Sequence, residues 1–187
     1  VFLALSLLAL VSPTRALDQS PTRALDQSPG TIRFTGYSIF GAARGEFRSW
    51  KITHAVIDDR HPERSKVSLE IDMASLETRS WMRDMHLKSA HFFDVENYPT
   101  ASVTLDQVEL KDPRHFIAHV EIDVHGQSKT FPMWFKIADR STRRITGEVT
   151  LRRSDFAVGP SSGGPMFLDD NVLIAVDAVV PPAGKIP

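Results

Sequence analysis

The sequence predicts an all-β fold of about eight antiparallel strands carrying one short α-helical insertion. Three observations point there. Apolar side chains alternate with polar ones at period two through most of residues 31–180. The alternating runs are separated by Gly, Pro and Asp clusters at hairpin spacing. Only residues 81–99 break the pattern with helical spacing, so no strand–helix–strand repeat of a parallel sheet is present.

Taken in order, Ile32 and Phe34 begin the first strand, which passes Gly36 to Ser38 and Phe40. Gly41 and Gly45 bracket a turn, and residues 45–57 read as a second, long strand ended by the Asp58-Asp59-Arg60-His61-Pro62 cluster. Val67, Leu69, Ile71 and Met73 alternate with Ser68, Glu70 and Asp72, a half-buried strand with one wet face. The helical segment follows. Trp81, Met82 and Met85 fall at i, i+1 and i+4, an apolar side expected to dock on the sheet. Arg83, Asp84 and Lys88 fall on the other side, with Asp84 four residues before Lys88 as an ion pair. Pro99 stops the segment. So short a helix does not hold itself in water and needs that docking.

Beyond Pro99, Ala101, Val103 and Leu105 open a strand that continues to Leu110, and Lys111-Asp112-Pro113 turns the chain. Phe116, Ala118, Val120, Ile122 and Val124 alternate, residues 125–128 form a hairpin turn, and Phe131, Met133, Phe135 and Ile137 alternate on the return. After a polar turn at residues 139–143, Ile145, Gly147, Val149 and Leu151 alternate again. Residues 159–165 are a Gly/Ser/Pro loop. Residues 172–180 are the last strand, apolar on both faces, as expected of a strand running beneath the helical segment.

Such a set closes as an up-and-down barrel or packs as a sandwich, and period alone does not choose. The inward set carries Phe34, Phe40, Phe47, Met73, Phe116, Phe131, Met133 and Phe135, broken by Gly36, Ala118 and Gly147. Large side chains facing small ones interdigitate into a solid core or line an elongated apolar slot.

Composition narrows the function. The 187 residues are 42% hydrophobic, enough for one domain with a sizeable core. A formal charge of -1 leaves no broad basic field for nucleic acid. The absence of cysteine excludes disulfides, thiol catalysis and thiolate zinc sites. Residues 1–11 are a continuous apolar run of signal-peptide length, too short to span a bilayer, and SPTRALDQ follows twice in tandem, with small-residue cleavage sites at Ala16 and Ala24. The expected division is therefore a signal peptide and duplicated leader over residues 1–28, an all-β domain over 29–182 and a tail over 183–187, in an exported protein.

Little in the sequence points to catalysis. Asp84, His86 and Asp94 are the one acid–base set, and structural roles fit them better: Asp84 and Arg83 tying the helix to the sheet, Asp94 capping a turn. No Ser or Thr sits in a nucleophile elbow. His115 and His119 lie four apart on a strand, about 13 Å by strand rise, so no metal site is expected. Arg143-Arg144 and Arg152-Arg153 read as solvated strand-end charges, with an anionic head group or membrane surface as the other reading. Residues 159–165 contain glycines but no phosphate-loop lysine.

One stretch carries a resemblance. Ser75 and Thr78, then Arg83-Asp84-Met85-His86-Leu87, Ser89, Phe92-Phe93-Asp94 and Tyr98-Pro99 are similar to the signature of the YceI-like family of polyisoprenoid-binding proteins. Residues 119–130 resemble that family's strand and Gly-then-Thr hairpin, Arg153, Asp155, Phe156 and Gly159 its Arg-x-Asp-Phe-x-x-Gly turn, and Phe34 with Gly45-Glu46-Phe47 its first hairpin. The likeness spans about residues 31–180. The family's aromatic–Asp–His–Ser opening is replaced here by SPGTIRF. The resemblance implies a lipocalin-like extended antiparallel β-barrel over residues 29–182, eight-stranded by the count above, whose apolar lumen takes an isoprenoid chain, in an exported, periplasmic or secreted protein; the expected ligand is an isoprenoid or quinone-like lipid, bound without catalysis.

A polyprenyl tail needs a long dry slot, and each buried methylene is worth roughly 0.8 kcal/mol. The expected lining is Phe34, Phe47, Met73, Phe116, Val120, Met133, Phe135 and Val149, with Trp81, Met85 and Phe92 closing one side. Plain core packing is the competing reading for each. The expected role is transport, storage or sensing of that lipid with no other cofactor. The alternative is an envelope interaction module with a filled barrel that acts on a membrane redox or stress-response partner. Transient contact with a membrane or membrane protein, and a homodimer, are compatible with either.

Overall fold

The computed structural model describes residues 28–160 and 168–182. The leader, most of the Gly/Ser/Pro loop and the tail lie outside them. Ten strand segments form one antiparallel sheet. They are β1 (Gly30–Ser38), β2 (Gly41–Phe47), β3 (Trp50–Val56), β4 (Lys66–Asp72), β5 (Leu76–Glu77), β6 (Thr100–Leu110), β7 (His115–Val124), β8 (Gln127–Asp139), β9 (Arg144–Arg152) and β10 (Asn171–Val179). The sheet order is β3-β4-β6-β7-β8-β9-β10-β1-β2-β5.

The two ends of that order are joined covalently. β2 runs into β3 through Arg48 and Ser49, and β4 runs into β5 through a 3-10 turn, Met73–Ser75. Phe47 pairs with Leu76 on one side of the break and Trp50 with Ile71 on the other. Between them the Asp72 N–H donates to Ser49 O at 3.0 Å and the Arg48 N–H to Ser75 O at 3.2 Å. The sheet therefore closes on itself. Counting each kinked pair as one strand recovers the expected eight. The kink has its own brace: the Ser28 hydroxyl donates to Arg48 O and accepts from the Trp50 N–H.

Hairpin turns at one end of the barrel follow β3, β6 and β8; at the other end lie the β1–β2 and β7–β8 hairpins and two longer excursions. One excursion is α1 (Trp81–Lys88) with residues 89–99; the other is the 3-10 turn Arg153–Phe156 with the residues leading to β10. The β7–β8 turn is tight because His125 and Gly126 both have positive φ, 54° and 70°, the geometry that matches the twist of paired strands. The expected four-residue turn is thus two residues long.

Inward side chains follow the alternation read from the sequence except Phe40, which is 76% exposed because the chain turns at Ile39-Phe40, before Gly41, and not between Gly41 and Gly45 as expected. One part of the barrel interior is fully buried, and Phe93 and Val95 of the first excursion pack on its edge. Trp50, Ile52, Leu69, Ile71 and Met73 form one buried cluster, and Leu105, Phe116, Ala118, Val120, Met133 and Phe135 a second. Gly147 is small for a reason: a Cβ there would stand 2.7 Å from the Phe135 ring and 2.8 Å from Met133 Cε. Large side chains fill the space that the glycine leaves.

Helix α1 is turned over relative to expectation. Trp81, Met82 and Met85 are exposed, while Arg83, Asp84 and Lys88 are half-buried. Asp84 does not pair with Lys88; its carboxylate accepts from the Thr78 N–H at 2.8 Å and from the Thr78 hydroxyl. Arg83 donates from Nε to Thr78 Oγ1 and from Nη2 to Thr78 O. Thr78 is itself buried, so a closed polar ring, not an apolar stripe, fastens the helix to β5. The expected position of β10 beneath the helix is replaced by β10 lying between β9 and β1, with α1 anchored at β5.

Candidate functional site

The barrel half beneath the two excursions differs from the packed half. Its inward apolar side chains are only half-buried: Phe47 on β2, Ile122 and Val124 on β7, Phe131 on β8, Val149 and Leu151 on β9, and Ile174 on β10. Backbone geometry explains the room. β8 and β9 pair only from Phe135↔Gly147 to Asp139↔Arg144, and then diverge. Pro132, which has no N–H to give, stands in the unpaired stretch of β8, as the open edge of a strand allows. This half-buried lining with its split wall is the vestibule, and its residues still touch the core: Phe47, Val124 and Ile174 pack on the first cluster, and Ile122, Phe131 and Val149 on the second.

A cap lies over this vestibule. Phe92, Phe156 and Val158 form a third buried cluster, with Leu87, Phe93, Ile122, Val124, Leu151 and Leu168 packed against it. Phe93 reaches Phe47 edge-on, ring centroids 6.5 Å apart, and Phe47 lies 5.6 Å from Phe34. On the other flank the His125 ring Nδ1 lies 3.2 Å from Phe156 O, so Nδ1 carries the proton, and Tyr98 packs on the same imidazole at 4.7 Å.

Arg153 organises this flank. The sequence reading made it a solvated strand-end charge; the structure buries it. Its Nε donates to Asp169 O, and Nη1 donates to Val158 O and Pro160 O. Asp170 stands 3.9 Å from Nε. Asp170 in turn accepts from the Ser154 hydroxyl at 2.6 Å and its N–H at 3.0 Å. The other three arginines of those two pairs stay at the surface, Arg144 on Asp177, Arg152 on Asp155 and Arg143 within 3.8 Å of Asp59.

These anchors give a pH dependence. The Ser154 hydroxyl holds the Asp170 carboxyl below the usual aspartate range, and Arg144 does the same for Asp177. A carboxylate whose pKa is lower folded than unfolded stabilises the fold above its unfolded pKa, and the gain is lost as pH falls through the folded value. Melting temperature is therefore expected to be flat from neutrality to about pH 5 and to fall below about pH 4, where unfolded aspartates begin to hold protons. Thermal melts across that range check it, and Asp170→Asn is expected to make the acid limb shallower.

The predicted lining residues fall into three groups. Phe47 and Val149 line the vestibule, with Phe34 and Phe92 buried at its margin. Met73, Phe116, Val120, Met133 and Phe135 sit within the packed half. Trp81 and Met85 do not close one side of the lumen; they face solvent, because the polar ring on Thr78 fixes the opposite face of α1. Phe93, Phe156, Leu151 and Ile174 are vestibule or cap residues absent from the predicted lining. The signal for Phe156 was present: a phenylalanine inside a polar Arg-Ser-Asp turn has little reason to be there unless it is buried. Trp50 adds a polar feature, since its indole N–H is buried without a hydrogen-bond acceptor among the described residues. Two surface hollows of about 560 and 450 Å³ lie on the outside, the first lined by Pro62 and residues 107–110, the second by Arg33, Arg144 and Asp177 among others. Neither includes a predicted lining residue. No group of metal-binding side chains occurs among the described residues.

Comparison with known proteins places this architecture. The model of the YceI-like domain matches residues 24–180. The chain is similar to a UPF0312 protein of Pectobacterium atrosepticum, 28% identical over 155 residues that cover 79% of this chain and 78% of the relative. It is 29% identical over 143 residues to a UPF0312 protein of Pseudomonas savastanoi pv. phaseolicola, covering 70% and 71%. Among solved structures, Burkholderia cenocepacia BcnA superposes with a TM-score of 0.72 at 18% identity, over 81% of this chain and 96% of that one. A polyisoprenoid binding domain from Saccharophagus degradans, implicated in plant cell wall breakdown, superposes with a TM-score of 0.59 at 13% identity, over 82% and 97%. At these identities the structural matches establish a shared fold.

Proposed function

The chain belongs to the YceI-like family, and from that membership together with the capped vestibule we propose that it binds an isoprenoid or quinone-like lipid inside the barrel. The observation that carries this reading is the contrast between the two halves of one lumen. One half is fully buried; the other leaves Phe47, Phe131, Val149 and Ile174 half-buried although they lie on the inward face beside the core clusters. Apolar surface left accessible inside a closed sheet is unfavourable unless something apolar covers it. The cap of Phe92, Phe93, Phe156 and Val158 would shield the chain of a lipid from water. The divergence of β8 from β9 offers a route through the wall.

Carriage fits the chemistry better than conversion. Two of the three acid–base candidates are committed elsewhere: Asp84 is held by Thr78, and Asp94 accepts from the Asn97 amide, while the His86 ring packs 4.8 Å from Phe92. Binding, storage or transfer of the lipid by an exported, periplasmic or secreted protein completes the proposal.

Native mass spectrometry and organic extraction of the full chain, purified from its own host, test the reading. A co-purifying lipid of several hundred daltons is expected, and Phe47→Asp, which puts a charge on the vestibule wall, is expected to remove it while the fold persists. Protein that emerges empty and fails to take up an added polyprenol or quinone would refute the proposal.

A further inference from the structure

The capped end of the barrel carries exposed apolar side chains on two separate elements. The β1–β2 hairpin tip presents Tyr37, Ile39 and Phe40, and Phe40 is 76% exposed. The outer face of α1 presents Trp81, Met82 and Met85, the first two at 73% and 76%. Both elements belong to the same end of the barrel, and they are fixed relative to each other. Thr78, to which α1 is tied through Asp84 and Arg83, packs on Gly45 of β2, where an added Cβ would lie 2.8 Å from Thr78 Cγ2. The hairpin tip then projects four residues beyond Gly45, roughly 13 Å at strand rise.

The same end carries unpaired cations. Arg44 on β2 and Arg79 before α1 are exposed and form no ion pair among the described residues. Of the carboxylates at this end, Asp84 is engaged with Thr78, Glu77 with Arg48 and Asp169 with Asn171. The face thus combines Trp, Tyr, Phe and Met side chains with uncompensated cations, the composition that seats at the boundary between lipid head groups and acyl chains. An aqueous protein partner would have to cover two separate apolar tips together with positive charge. An anionic bilayer meets both demands with one surface.

We infer that the β1–β2 hairpin tip and the outer face of α1 together form a docking surface for anionic lipid bilayers. This rests on the lipid-binding reading only for its purpose: docking brings the cap and the β8–β9 split close to the acyl phase. The physical argument for the surface stands on the exposed residues alone.

Vesicles of phosphatidylcholine, with and without a minority of phosphatidylglycerol, test it, and neither contains an isoprenoid. With Trp134→Phe removing the one other exposed indole among the described residues, the remaining reporters are Trp81 and the buried Trp50. Anionic vesicles are expected to co-sediment the protein and to shift Trp81 emission to the blue. Ile39→Ser combined with Phe40→Ser is expected to weaken partitioning about tenfold or more, with unchanged circular dichroism, because two apolar side chains leave the interface. Arg44→Gln with Arg79→Gln is expected to lose the preference for anionic lipid, at roughly fivefold per charge. Absence of binding, an unshifted Trp81, or binding indifferent to the hairpin variant would overturn the inference. So would a dimer in sedimentation velocity that Phe40→Ser abolishes, since a second copy would then cover the face. Protein that binds vesicles but carries no lipid from its host would refute the vestibule reading alone.

Discussion

Phe135→Ala is expected to lower the free energy of unfolding by about 3–5 kcal/mol, the largest single-site loss in the molecule. Phe135 is 4% exposed and stacks on Phe116, its cross-strand partner, with centroids 5.1 Å apart and planes within 12°. Its other neighbour on the sheet is Gly147, which has no side chain to move into the vacated space. The closed sheet keeps the backbone from collapsing inward, so most of the cavity would persist. Urea denaturation followed by circular dichroism measures the loss. Phe47→Ala, made in the half-buried vestibule, is expected to cost distinctly less. Equal costs at the two sites would mean that the barrel is packed uniformly and has no vestibule.

Asp84→Ala is expected to cost about 2–3 kcal/mol and to free α1 locally before the barrel unfolds. The substitution strips the acceptor from the buried Thr78 N–H and hydroxyl, and leaves the Arg83 guanidinium on Thr78 without its neighbouring anion. The Phe92 cap follows directly on this helix, so its exposure should rise as well. Amide hydrogen exchange over residues 81–93, compared with a strand such as β7, reads the effect. Asp84→Asn keeps one acceptor and should fall between. Loss of a hydrolytic activity in Asp84→Ala with an unchanged melting temperature would instead make Asp84 an acid–base residue.

The barrel was largely legible because its information is local. Period-two alternation at Phe116, Ala118, Val120, Met133 and Phe135 states which face is inside, and every one of those residues is buried. Sheet closure was harder to read. Residues 45–57 look like one strand, and only the partner segment, with its turn at Met73–Ser75, shows that a kink joins the ends of the sheet. Helix α1 was misread because an apolar stripe normally faces the core. The tie of Arg83 and Asp84 to the sheet was expected and is present, but its partner Thr78 lies outside the helix, and no pattern within residues 81–88 shows that this face, and not the apolar one, turns inward. Arg153 was misread for a similar reason. Its partners are backbone carbonyls of Val158, Pro160 and Asp169, which carry no sequence signature. The division of the lumen into a filled and an accessible half depends on where β8 and β9 part, a long-range register that alternation does not encode.

The pairing of β1 with β10 sets a kinetic condition. Gly30 meets Ala178 across nearly the whole chain, so the cylinder cannot shut until the final segment has been synthesised. Contacts of such sequence separation make folding slow relative to helical proteins of similar size. In the interval, β1 and β9 each present a naked edge able to recruit another chain. A ribosome stalled before residue 171 would therefore release a species prone to aggregation, whereas the completed polypeptide seals both edges in one step.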